Sequence, residues 1–428
     1  MNLLYLHTHD MGRYNQLYGF AARTPAFQSV ADRGMLFRNA HCAQPTCSPS
    51  RAALLTGRWP QCNGVTGLTH RGSRLDDPSQ HLSAWLKSHG YSTALYGIQH
   101  EASDPNDLGY DLHSTYEGEA EEGMRDMFVA QNAANFIRRY RDDRPFFLSV
   151  GFFAPHRVYS RPLGDINPNY VQPPICIPDT EETRLDYAKY LADVEYADSC
   201  AAEVLNALKE TGHDKNTLIL LTTDHGIAFP FMKCNLYDTG TGVTLALQIP
   251  GYEGGKASDA LVSHIDVFPT LCEALDVPKP DWLQGKSLMP IIREEEKQVN
   301  DAIYTQITFH AAPEAVRSVR TQRYKYIRRY SDYPTQILPN VDNGLTKTYL
   351  LEHGFSDRPL PREELYDLVF DPAERNNLVN NESHKDILAA LLENLSEWMH
   401  ETGDALLYGD YPVPEGARLD PVGQTGPS

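Results

Sequence analysis

A cysteine at the start of a helix-like run is the first feature of this sequence that could do chemistry. Residues 47–57 read CSPSRAALLTG, and Pro49 is typical of a first helical turn, so Cys47 is predicted at or near a helix N-terminus. Free backbone N–H groups at such an end favour an anion, and Arg51, one turn further on, can point back to the same place. The pattern predicts an anion-binding site. The alternative is an inert buried cysteine before a Pro-initiated helix.

Two pairs of metal-binding side chains follow predicted strands. His9-Asp10 comes after the first strand, and Asp224-His225 comes after a buried strand much later in the chain. Functional groups gather at the carboxyl ends of strands in open α/β sheets, so both pairs are expected to converge on one divalent cation beside Cys47. Oxygen ligands suit calcium or magnesium, whereas imidazoles from His9 and His225 favour manganese or zinc. The alternatives are a turn role for Asp224 and a substrate-facing His9.

Three further polar side chains are candidates for the same site. His100 and His156 each come soon after a predicted strand, at 93–96 and 145–153. Lys233 follows Asp224 closely. Taken singly, each is more typical of a satisfied histidine or a solvated lysine, so only their combination with Cys47 makes them candidates.

The elements that must position these residues alternate between strand and helix. This alternation predicts an α/β fold, a large and mostly parallel sheet with helices on both faces. The predicted strands are Leu3–Leu6, Thr93–Tyr96, Pro145–Phe153, Thr217–Thr223, Val243–Ile249 and Ile303–Ile307. The predicted helices are Pro25–Arg33, His81–His89, Met124–Arg141 and Thr183–Lys209.

The pattern changes after about residue 312. Val316–Arg320 and Tyr324–Arg329 read as a hairpin, and a Pro- and Gly-rich stretch, a short strand at Glu364–Val369 and an amphipathic helix at Ile387–His400 follow. We therefore predict a catalytic α/β domain over residues 1–312 and a smaller antiparallel α+β domain over residues 313–428. The tail from Gly409 is expected to drape over the surface or fray.

Composition excludes several classes of protein. The chain has 428 residues and a net charge of −19, which argues against nucleic-acid binding. No apolar run is long enough to span a membrane. Seven cysteines without a C-x-x-C pair, and a start that lacks the features of a signal peptide, predict a reducing, cytoplasmic location. The oligomeric state is left open.

The string CSPSR with the later Thr-Gly resembles the signature of type I sulfatases, in the alkaline phosphatase superfamily. The resemblance implies that a formylglycine-generating enzyme converts Cys47 to formylglycine. It also implies catalytic roles for Arg51, His100, His156 and Lys233, with His156 and Lys233 contacting the substrate. The implied ligands of a divalent cation, calcium by family resemblance, are His9, Asp10, Asp224, His225 and residue 47.

The sequence departs from this family at two positions. His9 stands where the family has an aspartate, which removes a negative charge and adds an imidazole. Ile98, two residues before His100, stands where the family has a lysine, which removes one cation from the sulfate site.

Four stretches resemble the sulfamidase branch of the family: DDRPFFL at 142–148, PHR at 155–157, Gly226-Ile227 with Phe229-Pro230, and NLY at 235–237. This implies a small saccharide carrying an N- or O-sulfate, with N-sulfated glucosamine first. Arg157 and His310 are candidates to contact the rest of that substrate. The alternatives are a phosphodiesterase or phosphonate monoester hydrolase of the same superfamily, or a decayed homologue that binds anions without catalysis.

Overall fold

An eight-stranded sheet forms the centre of the computed structural model, which describes residues 1–114, 125–409 and 413–428. Its strand order is β4-β3-β5-β1-β6-β7-β2-β8. The strands are β1 Asn2–Thr8, β2 Met35–His41, β3 Ser92–Gly97, β4 Leu112–Ser114, β5 Phe146–Gly151, β6 Thr217–Thr223, β7 Leu245–Gln248 and β8 Lys256–Ser263. Strand β7 alone runs antiparallel to its neighbours β6 and β2. The predicted fold class is confirmed.

Helices cover both faces of this sheet. The helices of the described residues are α1 Pro25–Ala31, α2 Cys47–Thr56, α3 Pro60–Asn63, α4 Leu82–Ser88, α5 Arg125–Arg139, α6 Glu181–Thr211, α7 Asp238–Thr241, α8 Val267–Leu275, α9 Met289–Ile292, α10 Leu345–Glu352 and α11 Lys385–Glu401, of which α11 packs on a second sheet. The predicted helix start at Met124 lies outside the described residues. The other predicted helices are confirmed to within a few residues.

Alternation along the central strands explains the two cores. Leu4 and Leu6 of β1 belong to the core under α1, α5 and α6, whereas Leu3 and Tyr5 belong to the core under α2, α4 and α8. Successive side chains of a strand point to opposite faces, so a continuously apolar strand serves both cores. This buried sheet fixes the ends of β1 and β6, where the candidate residues lie.

A second sheet of four antiparallel strands has the order β12-β11-β10-β9. Its strands are β9 Ala302–Phe309, β10 Pro313–Thr321, β11 Tyr324–Arg329 and β12 Glu363–Asp367. Helix α11 packs on this sheet through Leu391, Leu395 and Trp398. The predicted strand Ile303–Ile307 therefore belongs to this sheet and not to the large one, because β9 pairs with β10. The division at residue 312 stays a prediction.

The sequence analysis missed β2 and β8, which pair in parallel at one edge of the large sheet. Neither strand is continuously apolar, because both contain exposed residues. Among the described residues, no helix combines the length and apolar character that crossing a membrane requires.

Candidate active site

The carboxyl ends of β1 and β6 meet at the centre of the site. These strands pair in parallel with His7 opposite Thr222 and Thr8 opposite Thr223. Beyond the paired residues, the Asp10 backbone N–H donates to Asp224 Oδ1 at 2.8 Å. Asp10 has a left-handed backbone with φ of 55°. This bond to the neighbouring loop therefore stabilises an otherwise unfavourable conformation and fixes both aspartates together.

Helix α2 begins at Cys47 and docks on the same strand ends. The Ser50 hydroxyl donates to the Asp224 carbonyl, and Arg51 donates from one guanidinium nitrogen to Asp224 Oδ2 at 3.0 Å and to the Thr8 carbonyl at 2.9 Å. Arg51 is 1% exposed. The helix N-terminus predicted for Cys47 is present, and Arg51 joins this helix to both strands.

His7, near the end of β1, lies behind Arg51. His7 Nδ1 accepts a hydrogen bond from the other terminal guanidinium nitrogen of Arg51 at 2.6 Å, and its Nε2 lies 3.4 Å from the Ser149 hydroxyl. Burial and the neighbouring guanidinium hold the pKa of His7 well below its usual range. A neutral His7 thus orients Arg51 rather than holding a cation.

Four side chains offer a plausible set of ligands for a cation. The ligand atoms of His9, Asp10, Cys47 and Asp224 all lie within 4.8 Å of one another. His225 Nε2 lies 3.3 Å from Asp10 Oδ1 and 3.7 Å from Asp224 Oδ2. Buried carboxylates with adjacent imidazole nitrogens fit a divalent cation, so the residues present match the group that the motif implies.

The histidines of this cluster are oriented for such a role. His225 Nδ1 donates to the Gly226 carbonyl at 2.9 Å, so the lone pair on Nε2 faces Cys47 Sγ at 3.4 Å. Burial lowers the pKa of His9 to about 4, which keeps its imidazole neutral near pH 7. His9 Nδ1 lies 2.7 Å from Asp10 Oδ1.

The electrostatics of the cluster favour ionised carboxylates and a protonated thiol. Burial opposes the charge of Asp10, but the Lys233 ammonium at 2.9 Å holds the pKa of this carboxyl well below its usual range. Burial raises the pKa of the Cys47 thiol well above its ordinary value. An unmodified Cys47 is therefore a poor nucleophile here, because the thiolate is the reactive form.

His100 and His156 border this cluster from the β3 and β5 ends. His100 Nδ1 lies 3.3 Å from His9 Nε2, and the ligand atoms of His9, Cys47 and His100 lie within 4.8 Å of one another. His156 Nδ1 donates to the Arg157 carbonyl, which leaves Nε2 facing the site, 3.8 Å from Asp10 Oδ2. The structure thus brings both predicted histidines to Cys47 and Asp10.

Ile98, at the position where the family has a lysine, is buried and apolar. It brings no charge to the site. Lys233, which is 3% exposed, is the lysine that reaches the described cluster, through Asp10.

The two candidates for substrate contact, His310 and Arg157, have different surroundings. His310 is buried next to the site, and burial, reinforced by Lys233, lowers its pKa to about 3. Arg157 instead forms a two-pronged ion pair with Asp186, both bonds at 2.9 Å, and donates to the Ala228 carbonyl at 2.7 Å. Its hydrogen-bonding groups are engaged within the protein, so the expected contact between Arg157 and a substrate is not supported.

The C-terminal segment 417–428 packs against loops that border the site. Asp420 binds Arg71 through two bonds of 3.2 Å, and its backbone N–H donates to the Ala311 carbonyl, next to His310. Gly426 lies against the Asn343 side chain. The part of the tail that the structure describes is therefore docked and joins three loops. Residues 410–412 lie outside the described residues.

A second carboxylate on Lys233 was not predicted. Asp342 Oδ2 lies 3.3 Å from Lys233 Nζ. Asp10, the other carboxylate that contacts this ammonium, comes from a much earlier part of the sequence. No strand or motif precedes Asp342, so no local signal could have identified it.

Comparisons with known proteins identify the family to which this chain belongs. A family model described as Sulfatase matches residues 1–277, and one described as N-sulphoglucosamine sulphohydrolase, C-terminal, matches residues 224–343. An ulvan-active sulfatase of Formosa agariphila is 29% identical, covering 90% of this chain and 76% of its own. Human N-sulphoglucosamine sulphohydrolase is 28% identical, covering 92% of this chain and 88% of its own.

Solved structures share the fold across nearly the whole chain. One, described as a complex with its substrate D-glucosamine-2-N,6-O-disulfate, has a TM-score of 0.78 at 21% identity and covers 97% of this chain and 99% of its own. A phosphonate monoester hydrolase of Agrobacterium radiobacter has a TM-score of 0.74 at 20% identity, covering 94% of this chain and 96% of its own. Because the Sulfatase model spans more than half of the sequence, the chain belongs to the sulfatase family.

Proposed function

We propose that this sulfatase hydrolyses an N- or O-sulfate on a small saccharide, with N-sulfated glucosamine as the first candidate, through a formylglycine made from Cys47. The observation that carries the proposal is the position of Cys47, at the N-terminus of α2 and within 4.8 Å of ligand atoms from His9, Asp10 and Asp224. The match to the N-sulphoglucosamine sulphohydrolase C-terminal model supports the choice of an amino sugar.

Two groups that the chain would acquire supply the central chemistry. A hydrated formylglycine offers one hydroxyl to attack sulfur and a second to expel sulfate afterwards. A divalent cation on His9, Asp10, Asp224 and residue 47, with His225 adjacent, would neutralise negative charge at the sulfuryl oxygens. Calcium by family resemblance, and manganese or zinc because of the histidines, are the candidates. A formylglycine-generating enzyme is the proposed maturation partner.

Two buried cations of the chain itself position the reacting groups. Arg51 binds Asp224 and the β1 backbone, and so fixes the helix turn that carries residue 47. Lys233 presents its ammonium between Asp10 and Asp342, where it can bind a sulfuryl oxygen. Preorganised charges of this kind in a water-poor site are usually the largest contribution to catalysis.

Two histidines are assigned to proton transfer. Because His156 Nδ1 donates to a backbone carbonyl, its Nε2 is the atom that can deliver a proton to the departing oxygen or nitrogen. His100 lies beside residue 47 and is assigned to removing the hydroxyl proton that drives sulfate release.

The net charge of the protein and the burial of Lys233 favour a small substrate. The chain carries a net charge of −19, and Lys233 is almost fully buried, so a sulfated group must enter a narrow pocket rather than lie along a basic groove. This favours a mono- or disaccharide or a chain end over the interior of a polymer. The predicted cytoplasmic location stays a prediction.

Mass spectrometry of the peptide that contains residue 47 tests the mechanism, because formylglycine and cysteine differ in mass. Activity on N-sulfated, 6-O-sulfated and aryl sulfates, beside intact heparan polymer, tests the substrate. A fully active protein with an unmodified thiol would refute the mechanism. Fast release from the interior of the polymer would refute the small-substrate proposal, and activity on O-sulfates or aryl sulfates alone would refute the N-sulfate choice.

The assembled cluster favours an active enzyme over a decayed anion-binding homologue. A phosphonate monoester hydrolase remains the enzymatic alternative, supported by likeness of fold alone. Comparing kcat/KM for paired sulfate and phosphate esters separates these functions.

A further inference from the structure

Lys233 contacts two carboxylates, which is unusual for a residue proposed to bind an anion. Its ammonium lies 2.9 Å from Asp10 Oδ2 and 3.3 Å from Asp342 Oδ2. Asp10 belongs to the proposed cation site, but Asp342 lies outside the cluster of candidate ligands. The Asp342 side chain is 18% exposed, against 3% for Lys233, but its Oδ2, the atom nearest the ammonium, is buried and has no hydrogen-bond partner among the described residues.

The loop that bears Asp342 is held firmly in place. The Asn340 side chain accepts hydrogen bonds from the backbone N–H groups of Ala311 at 3.0 Å and Ala312 at 2.8 Å. At the other end, the Thr346 backbone N–H donates to Asp186 at 3.0 Å. A carboxylate anchored on both sides acts as a fixed charge, and not as a mobile surface group.

Asp342 also lies near two histidines of the site. It interacts electrostatically with His156, the proposed proton donor to the leaving group, and with His310. Burial opposes the charge of Asp342, but Lys233 lowers its pKa, so the carboxylate is ionised near pH 7. One unit of positive charge on Lys233 is therefore largely offset before any anion binds.

We propose that Asp342 is a specificity-determining residue that suits the pocket to a transferred group with one negative charge and disfavours a group with two. A sulfate monoester or sulfamate carries one charge near neutral pH, whereas a phosphate monoester, whose second pKa is about 6, carries close to two. A fixed carboxylate a few ångströms from the bound anion repels the second charge, and Coulomb energies at such distances in a protein reach several kcal/mol. This inference rests on the proposed function and names the ionic class of its substrate.

The test uses Asp342→Asn, which keeps the shape of the side chain and removes its charge. Three nitrophenyl esters separate the effect of negative charge from that of the central atom, sulfur or phosphorus. They are 4-nitrophenyl sulfate with one charge, bis(4-nitrophenyl) phosphate with one, and 4-nitrophenyl phosphate with two. We expect kcat/KM for the doubly charged ester, relative to 4-nitrophenyl sulfate, to rise about tenfold. The ratio between the two singly charged esters should stay within about twofold.

Two control variants make the result specific. Asp342→Glu retains the charge and should keep the wild-type preference. Asp357→Asn removes one negative charge from an exposed position in the same part of the chain and should change none of the ratios. If Asp342→Asn lowers all three rates in proportion, Asp342 only positions Lys233 and the proposal is overturned. Unchanged ratios would overturn it as well.

A binding measurement distinguishes failure of this inference from failure of the proposed function. If the wild-type enzyme hydrolyses no sulfate ester, the proposed function fails. Calorimetry of methyl sulfate and methyl phosphate at pH 8 then still tests Asp342, because binding needs no chemical step. We expect Asp342→Asn to strengthen binding of methyl phosphate about tenfold relative to methyl sulfate, and an unchanged ratio would refute the assignment.

Discussion

The reaction centre and the rim of this site are built in different ways. The reaction centre, defined as Asp10, Cys47, Arg51, Asp224 and Lys233, is at most 3% exposed and lies at strand ends and a helix start of the large sheet. The rim, defined as His310, residues 338–344 and residues 417–428, consists of loops that are anchored by single side chains. Under the proposed function, chemistry would depend on the sheet, whereas selection among substrates would depend on how a few side chains hold loops together.

The largest effect is expected from the reaction centre. Cys47→Ala removes the residue that is proposed to become the nucleophile and should lower kcat/KM for any sulfate ester by about 10⁴-fold or more. Cys62→Ala, at a partly buried cysteine of α3, should leave the rate within about twofold. Steady-state kinetics on both variants, with mass spectrometry of residue 47 in the Cys62 variant, check this. Substantial activity in Cys47→Ala would contradict the assignment of the centre.

Metal removal is expected to have the second largest effect on activity. Chelation should lower activity by about 10³-fold, because charge at the sulfuryl group is no longer neutralised, and manganese or zinc should restore activity at least as well as calcium. His9→Ala should lower the metal content of the purified protein, measured by elemental analysis. Calcium as the sole metal, with unchanged content in His9→Ala, would remove His9 from the ligand set.

The ion pair that anchors the small sheet should affect the stability of the protein rather than its catalytic rate. Arg317 and Asp404 form a fully buried ion pair with bonds of 2.5 and 3.1 Å. Arg317→Met leaves the Asp404 charge uncompensated and should lower the free energy of unfolding by about 3–5 kcal/mol, measured in denaturant. The same change at Arg144, whose pair with Asp142 is half exposed, should cost less than about 1 kcal/mol. Equal costs would show that burial does not separate these pairs.

The smallest effect is expected at the rim. Arg71→Ala breaks the contact with Asp420 and should raise KM for a sulfated saccharide about tenfold, while kcat for 4-nitrophenyl sulfate stays unchanged. The matched control is Arg418→Ala, an exposed arginine whose backbone N–H, and not its side chain, binds Arg71. Proportional losses on both substrates in Arg71→Ala would mean that the tail supports the reaction centre itself.

The same contrast explains what the sequence could predict. Cys47 with Arg51, and the pairs His9-Asp10 and Asp224-His225, have local signals, because each lies next to a strand end or a helix start. Asp342 has none, since its role arises from a contact with Lys233 across the fold. Arg157 was assigned to the substrate because it follows His156, but a partner distant in sequence, Asp186, engages its guanidinium.

The sheet to which Ile303–Ile307 belongs was predicted wrongly for a related reason. The composition of Ile303–Ile307 predicts a buried strand, and the strand is present, but hydrophobicity does not tell which partner it pairs with. This strand is part of β9, which pairs with β10 because the two strands form a hairpin whose turn follows residue 309. Strand β8, at one edge of the large sheet, and its neighbour β2 were missed because each contains exposed residues and so lacks a continuous apolar run.

The contact between Cys47 and His225 has a consequence for the order of events during synthesis. The two residues are 178 positions apart, so the wall that encloses Cys47 does not exist when the ribosome first releases it. At about 5–20 residues per second, the intervening chain takes on the order of ten seconds or more to emerge. During that time residues 47–57 lack the part of the wall that His225 provides. We therefore expect the proposed maturation enzyme to have a kinetic window that closes when β6 joins the sheet.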